Sequence, residues 1–62
     1  MEAKAGDRLV VRGPHVDDPN RAAEILEVRG PGGRPPFLVK WSGGAVGLCF
    51  PGPDAYVEHR EG

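Results

Sequence analysis

The feature that most restricts the fold of this chain is the way glycine and proline divide it into short apolar runs. Ten glycines and seven prolines occur in 62 residues. They gather between runs such as Arg8–Arg12 and Pro36–Trp41, where turns belong, and are not scattered as in a low-complexity segment. The pattern predicts a folded all-β domain.

Five runs rich in β-branched and aromatic residues predict five strands. They are Arg8–Arg12, Ala22–Arg29, Pro36–Trp41, Ala45–Phe50 and Ala55–His59. In the third run, Phe37, Val39 and Trp41 fall on one face. We interpret that strand as the structural spine of the domain.

The run Ala22–Arg29 is ambiguous. Its alanine, glutamate and leucine residues favour a helix, and Asn20 could cap it. A helix would span barely two turns before the turn that begins at Gly30, which is too short to be stable alone. We therefore predict a strand whose charged residues face water.

The order of strands and turns suggests an architecture by analogy. A long loop follows the first strand, tight turns come later, and a turn or short 3₁₀ turn at Pro51–Asp54 precedes a short last strand. This is the order of a small five-stranded antiparallel SH3-like barrel. Residues 1–62 are predicted to form one domain, with residues 1–6 and 60–62 frayed. A chain this small has marginal stability, so dimerisation or docking on a partner would support it.

Charge and composition narrow the function. Eight basic and nine acidic residues give a net charge of -1, which argues against a non-specific nucleic-acid binder. One cysteine allows no internal disulfide and fits a reducing compartment. Neither a signal-peptide pattern nor a run of membrane-spanning length is evident, so we expect a cytoplasmic protein with no membrane partner.

No catalytic or metal-binding constellation stands out. A pair of Cys49 and His59 stays open on sequence alone, but Cys49 lies in an apolar strand, where an inert thiol is usual. Asp17 and Asp18 lack the further ligands that a metal needs. The turn Gly30–Gly33 has no lysine and helix after it, as a phosphate loop requires. We therefore expect no enzyme, no cofactor and no metal.

The loop after the first strand is the first candidate for a partner-binding site, because that loop helps to form the ligand groove in barrels of this order. Its candidate residues are His15, Asp17, Asp18 and Arg21. Basic residues on the strands could instead track a phosphate backbone. Acidic residues such as Asp7, Glu24 and Glu27 are interleaved with them, however, which favours a solvated surface of mixed charge.

The segment from Glu24 to Trp41 resembles the heart of a chromodomain. It has Leu-Val-Lys-Trp preceded by an aromatic residue, with Glu-Ile-Leu some ten residues earlier. That resemblance would imply a cage of aromatic residues around methylated lysine. It ends after the hairpin, where Cys49-Phe50-Pro51 replaces the family's second tryptophan segment. We interpret it as shared barrel architecture only.

A second resemblance covers nearly the whole chain. It rests on the segments Gly6–Val11, Asp18–Arg21, Ile25–Gly30, Pro35–Trp41 and Phe50–Ala55, among which Phe-Pro-Gly-Pro-Asp-Ala is distinctive. They resemble a family of short actinobacterial proteins classed as a domain of unknown function, whose known folds are SH3-like β-barrels. The resemblance implies this fold and a bacterial cytoplasm, but no activity.

The chain departs from that family after the tryptophan. The family usually has an Asp-Gly-His-Glu turn there, whereas this chain has Gly43, Gly44, Ala45 and Val46. If the polar turn acts through a proton or a metal, this chain has lost that capacity. The apolar replacement favours a protein contact, so these four residues are the second candidate site.

Two functions follow from the sequence. The leading hypothesis is a non-catalytic binding module for a protein partner or for a second copy, through an edge strand or the apolar hairpin. The alternative is a nucleic-acid-associated accessory protein of transcription or translation, since small SH3-like barrels often serve there.

Overall fold

A computed structural model describes residues 2–13 and 17–59 of the protein. Five strands form one antiparallel sheet: Arg8–Val11 (β1), Arg21–Val28 (β2), Phe37–Trp41 (β3), Val46–Cys49 (β4) and Ala55–Glu58 (β5). Their order across the sheet is β4-β3-β2-β1-β5. The predicted all-β fold and its five strands are confirmed, and the ambiguous run is a strand.

The long strand β2 organises the sheet. It pairs with β1 on one side and with β3 on the other, and β1 also pairs with β5. The register between β2 and β3 shifts between Ile25 and Glu27, which is a bulge. A bulge bends a strand and increases its twist. It therefore helps the sheet to curve around its apolar face.

One face of the curved sheet forms the core. Leu9, Ile25, Phe37 and Val39 are completely buried there. The register explains this, because Val39 lies opposite Ile25 and alternate residues of a strand share a face. The prediction that the third strand is the spine of the domain agrees with this core.

The segment before β1 is attached to the sheet, although its composition suggested fraying. The Ala3 N–H donates to the Gly33 carbonyl at 2.7 Å, and the Gly6 N–H donates to the Ile25 carbonyl at 2.8 Å. Ala3 is buried against the core cluster. The anticipated fraying of residues 60–62 concerns residues outside those described.

The short 3₁₀ segment lies at Pro31–Gly33, between β2 and β3. Residues 53–54, where a turn or a 3₁₀ turn was expected, form a turn, in which the Ala55 N–H donates to the Gly52 carbonyl. The 3₁₀ segment and the turn at residues 53–54 both lie between strands, where the sequence predicts turns. Among the described residues no helix is long and apolar enough to cross a membrane.

Candidate interaction surfaces

The hairpin between β3 and β4 contains the second group of predicted site residues. The Trp41 N–H donates to the Ala45 carbonyl at 2.7 Å, and the Gly44 N–H donates to the Trp41 carbonyl at 2.8 Å. Gly44 has φ +97, a conformation that glycine adopts without strain. Gly43, Gly44, Ala45 and Val46 are all exposed. The turn is therefore closed by its own backbone and leaves these residues facing solvent.

The apolar surface continues from the hairpin along β4. Val46, Leu48 and Phe50 are 56%, 57% and 75% exposed. In the β3–β4 register Cys49 lies opposite the buried Phe37, so alternation turns Cys49 to the core and its neighbours outward. The sequence pattern indicated that the three large apolar residues share a face. The structure shows that this face is the outer one.

The two edge strands of the sheet differ in charge. β5 contains Glu58, whose carboxylate lies 3.7 Å from the Arg8 guanidinium. β4 lies in a stretch without any charged residue, from Ser42 to Pro53. Natural edge strands are usually protected from unwanted pairing by charges, prolines or bulges. Within the strand itself, β4 has none of these.

The free side of β4 offers specific backbone groups. The carbonyl of Ala45 points to β3, because it accepts the Trp41 N–H. Backbone groups alternate in direction along a strand that is paired on one side. The N–H and C=O groups of Val46 and Leu48 therefore point away from β3. We call the outward apolar face of Val46, Leu48 and Phe50, together with these backbone groups, the β4 edge surface.

The first group of predicted site residues is not gathered around this surface. His15 lies outside the described residues. Asp17 and Asp18 are exposed, and no hydrogen bond or ion pair among the described residues joins their side chains to the hairpin. The fourth residue, Arg21, contacts the ring of Trp41.

Arg21 begins β2 and covers the ring of Trp41. Its guanidinium carbon lies 4.5 Å from the ring centroid. Trp41 is partly buried and packs against the core. Arg12 covers Tyr56 in the same manner, with its guanidinium carbon 5.5 Å from the ring centroid. Because both rings are stacked by arginines of the chain itself, they do not form an aromatic cage like that of a chromodomain.

Charged side chains alternate in sign across the sheet. The registers place Lys40 opposite Glu24, Glu24 opposite Arg8, and Arg8 opposite Glu58. The four residues come from β3, β2, β1 and β5 in turn. In this row the basic residues Lys40 and Arg8 are separated by Glu24, as the sequence suggested for a surface of mixed charge.

A cleft of about 680 Å³ opens along this charged row. On its border lies the one buried charged side chain among the described residues, Asp7, which is 1% exposed. Its Oδ2 accepts the Lys4 backbone N–H at 3.1 Å and lies 2.9 Å from the His59 Nδ1. The His59 side chain is itself 64% exposed. This pair is not evident from sequence, because Gly6-Asp7 has the ordinary pattern of a turn.

Three residues of the cleft have side chains that can take part in proton transfer. Ser42 lines it together with His59 and Asp7. Among the hydrogen bonds of the described residues, none joins Ser42 to His59. No group of three or more potential metal ligands occurs in the described part of the chain. The Asp7–His59 contact joins the residue before β1 to the residue after β5.

Cys49 has the environment of an unreactive thiol. Partial burial raises its pKa, and the nearby Arg21 guanidinium opposes this shift only in part. The neutral thiol therefore predominates at pH 7. This agrees with the interpretation that the lone cysteine is a packing residue.

Comparisons with known proteins agree with the resemblance seen in the sequence. A family model described as a domain of unknown function (DUF1918) matches residues 1–57. Uncharacterized protein Rv0569 of Mycobacterium tuberculosis is 45% identical over 62 residues, which cover 98% of this chain and 70% of the relative. Uncharacterized protein Mb2324 of Mycobacterium bovis is 44% identical over 66 residues, covering 98% and 82%. No solved structure gives a significant match.

Proposed function

Since the chain belongs to the DUF1918 family, a domain of unknown function, we propose that it is a non-catalytic interaction module that binds protein through its β4 edge surface. We take the five-stranded sheet to be an SH3-like barrel, since it has the long loop after β1 and the tight β3–β4 hairpin of that architecture. A cytoplasmic location fits the single cysteine. None of these properties requires a bound cofactor.

The observation that supports this function best is the exposure of large apolar residues at an uncharged edge. Val46, Leu48 and Phe50 are each more than half exposed. Contiguous apolar surface at a sheet edge is typical of a docking site. A protein segment can add to such an edge as a further strand, with backbone hydrogen bonds giving affinity and side chains giving specificity.

The alternation of charge weighs against the nucleic-acid alternative. A surface that follows a phosphate backbone needs neighbouring cations. Here Glu24 lies between Lys40 and Arg8 in the strand register, and Arg8 is paired with Glu58. This row of charged residues therefore offers no continuous basic track.

Site-specific photo-crosslinking tests the proposal. A benzophenone amino acid replaces Leu48 in one version of the protein and Tyr56 in a control version, and both are irradiated in a mycobacterial lysate. Leu48 lies on the β4 edge, whereas Tyr56 lies on the opposite edge strand and is 37% exposed. We expect a discrete crosslinked protein at position 48 and none at position 56. The same crosslinks from both positions, or none from position 48, would refute the proposed surface.

A further inference from the structure

We infer that the β4 edge surface pairs with a second copy of the same chain, antiparallel and about a two-fold axis at Gly47. This inference rests on the proposed function and identifies its partner. The resulting dimer would join two five-stranded sheets into one continuous sheet.

Backbone geometry fixes the register. The N–H and C=O groups of Val46 and Leu48 point to the free side, and Gly47 between them points to β3. An axis at Gly47 places Val46 opposite Leu48 of the second copy, and Leu48 opposite its Val46. Each such pair exchanges both of its N–H···O bonds, as in any antiparallel ladder. The free groups of both strands are thereby satisfied.

Side chains match in the same register. A two-fold axis normal to the sheet keeps the outer face of each copy on the same side. Val46 and Leu48 of both copies then become cross-strand neighbours, at the short distances over which such pairs interact. Side chains now 56% and 57% exposed would cover one another.

Gly47 is the residue whose identity the isolated chain does not explain. Glycine in the middle of a strand weakens that strand. A Cβ at Gly47 would meet no atom within 4 Å, and its φ is not positive. Glycine inside a strand often marks the close approach of another backbone. At the proposed axis the two Gly47 residues face each other in a pair that is not hydrogen-bonded, where strands approach most closely.

Charge and size favour a copy over a different protein. From Ser42 to Pro53 the segment has no charged residue, so it offers nothing that would select a charged partner or repel itself. The whole chain carries a net charge of only -1, so two copies repel each other weakly. A chain of 62 residues also gains stability from association.

Analytical ultracentrifugation tests the inference. We expect the weight-average mass of the protein to rise from the chain mass of 6.6 kDa toward twice that value. Concentrations from about 1 to several hundred micromolar are suitable, because small interfaces associate weakly. Circular dichroism of the parent protein and of each substituted protein below checks that the fold is retained.

Two substitutions at Leu48 separate side-chain from backbone contributions. Leu48→Lys adds a charge that protects an edge strand, and should weaken association at least about tenfold. Leu48→Pro removes an N–H that points away from β3, so it blocks strand addition while sparing the β3–β4 ladder. Tyr56→Lys, on the opposite edge strand, is the matched control and should leave the mass curve unchanged.

The outcomes distinguish this inference from the proposed function. Association that both Leu48 variants abolish and Tyr56→Lys preserves supports the dimer. If the protein stays monomeric while position 48 crosslinks a different protein, the second copy is refuted and the interaction function stands. If the protein stays monomeric and position 48 crosslinks nothing, both are refuted. Association that neither Leu48 variant weakens would place the contact elsewhere and refute the dimer.

Discussion

The Nδ1 atom of His59 lies 2.9 Å from the Oδ2 atom of Asp7, although the two residues are 52 positions apart. His59 follows the end of β5, and Asp7 precedes the start of β1. The contact therefore joins the start of β1 to the end of β5, which are neighbours in the sheet. It is one of the polar contacts of the Asp7 carboxylate, which is 1% exposed.

Asp7 is accordingly predicted to be more important for stability than His59. Asp7→Ala leaves the part-buried Lys4 backbone N–H without its side-chain acceptor and should destabilise the fold by roughly 1–3 kcal/mol. His59→Ala removes an exposed partner and should have a smaller effect. Urea unfolding of both variants and of the double variant measures the coupling between the side chains. Equal effects of the two single substitutions would contradict this order.

Two glycines are predicted to respond in opposite ways to alanine. A Cβ at Gly47 meets nothing within 4 Å, so Gly47→Ala should stabilise the domain by about 0.4–1 kcal/mol through a less flexible unfolded state. Gly33 has φ +83, and a Cβ there would lie 2.8 Å from the Ala3 carbonyl oxygen. Gly33→Ala should therefore destabilise the domain and loosen the segment before β1. Thermal melting monitored by circular dichroism at low protein concentration compares both with the parent.

The strands could be predicted from sequence because their information is local. Alternation and turn residues indicated all five, and they placed Phe37 and Val39 on one face, which the structure shows to be the core face. The side of β4 that faces solvent was harder to predict. Val46, Leu48 and Phe50 have an alternation that fits a buried face as well as an exposed one, and only the pairing of Cys49 with Phe37 decides between them.

The contacts at the candidate sites depend on residues far apart in the chain. Asp7 has the local pattern of a turn residue, and only the arrival of His59 at the end of β5 makes it part of a buried pair. Arg21 was assigned to a loop, whereas the structure places it at the start of β2 over Trp41. Such pairings arise from strand register across the sheet, which no short sequence window contains.

The ring of Trp41 is predicted to contribute less to stability than that of Phe37. Phe37 is completely buried, so Phe37→Ala should cost about 3–5 kcal/mol, a large part of the stability of a domain of this size. Trp41 is partly exposed, and Trp41→Ala should cost less. Arg21→Gln, which removes only the stacked cation, should cost about 0.5–1 kcal/mol. Urea unfolding followed by circular dichroism ranks the three, and a Trp41→Ala effect as large as that of Phe37→Ala would contradict the ranking.

Cys49 is predicted to react slowly with alkylating reagents at neutral pH. Partial burial raises the pKa of its thiol, and only the thiolate is nucleophilic. The rate of iodoacetamide modification should therefore still be rising at pH values above about 8.5, the pKa of a free thiol. Arg21 opposes the shift, so Arg21→Gln should raise the pKa of Cys49 further and slow the reaction at a given pH. Because the folded chain holds the thiol proton more tightly than the unfolded chain, stability should fall as pH rises from the ordinary thiol pKa through the raised pKa of the folded chain. The urea-unfolded protein is the control, and equal rates for the folded and unfolded chains at pH 7 would show that the thiol is not protected.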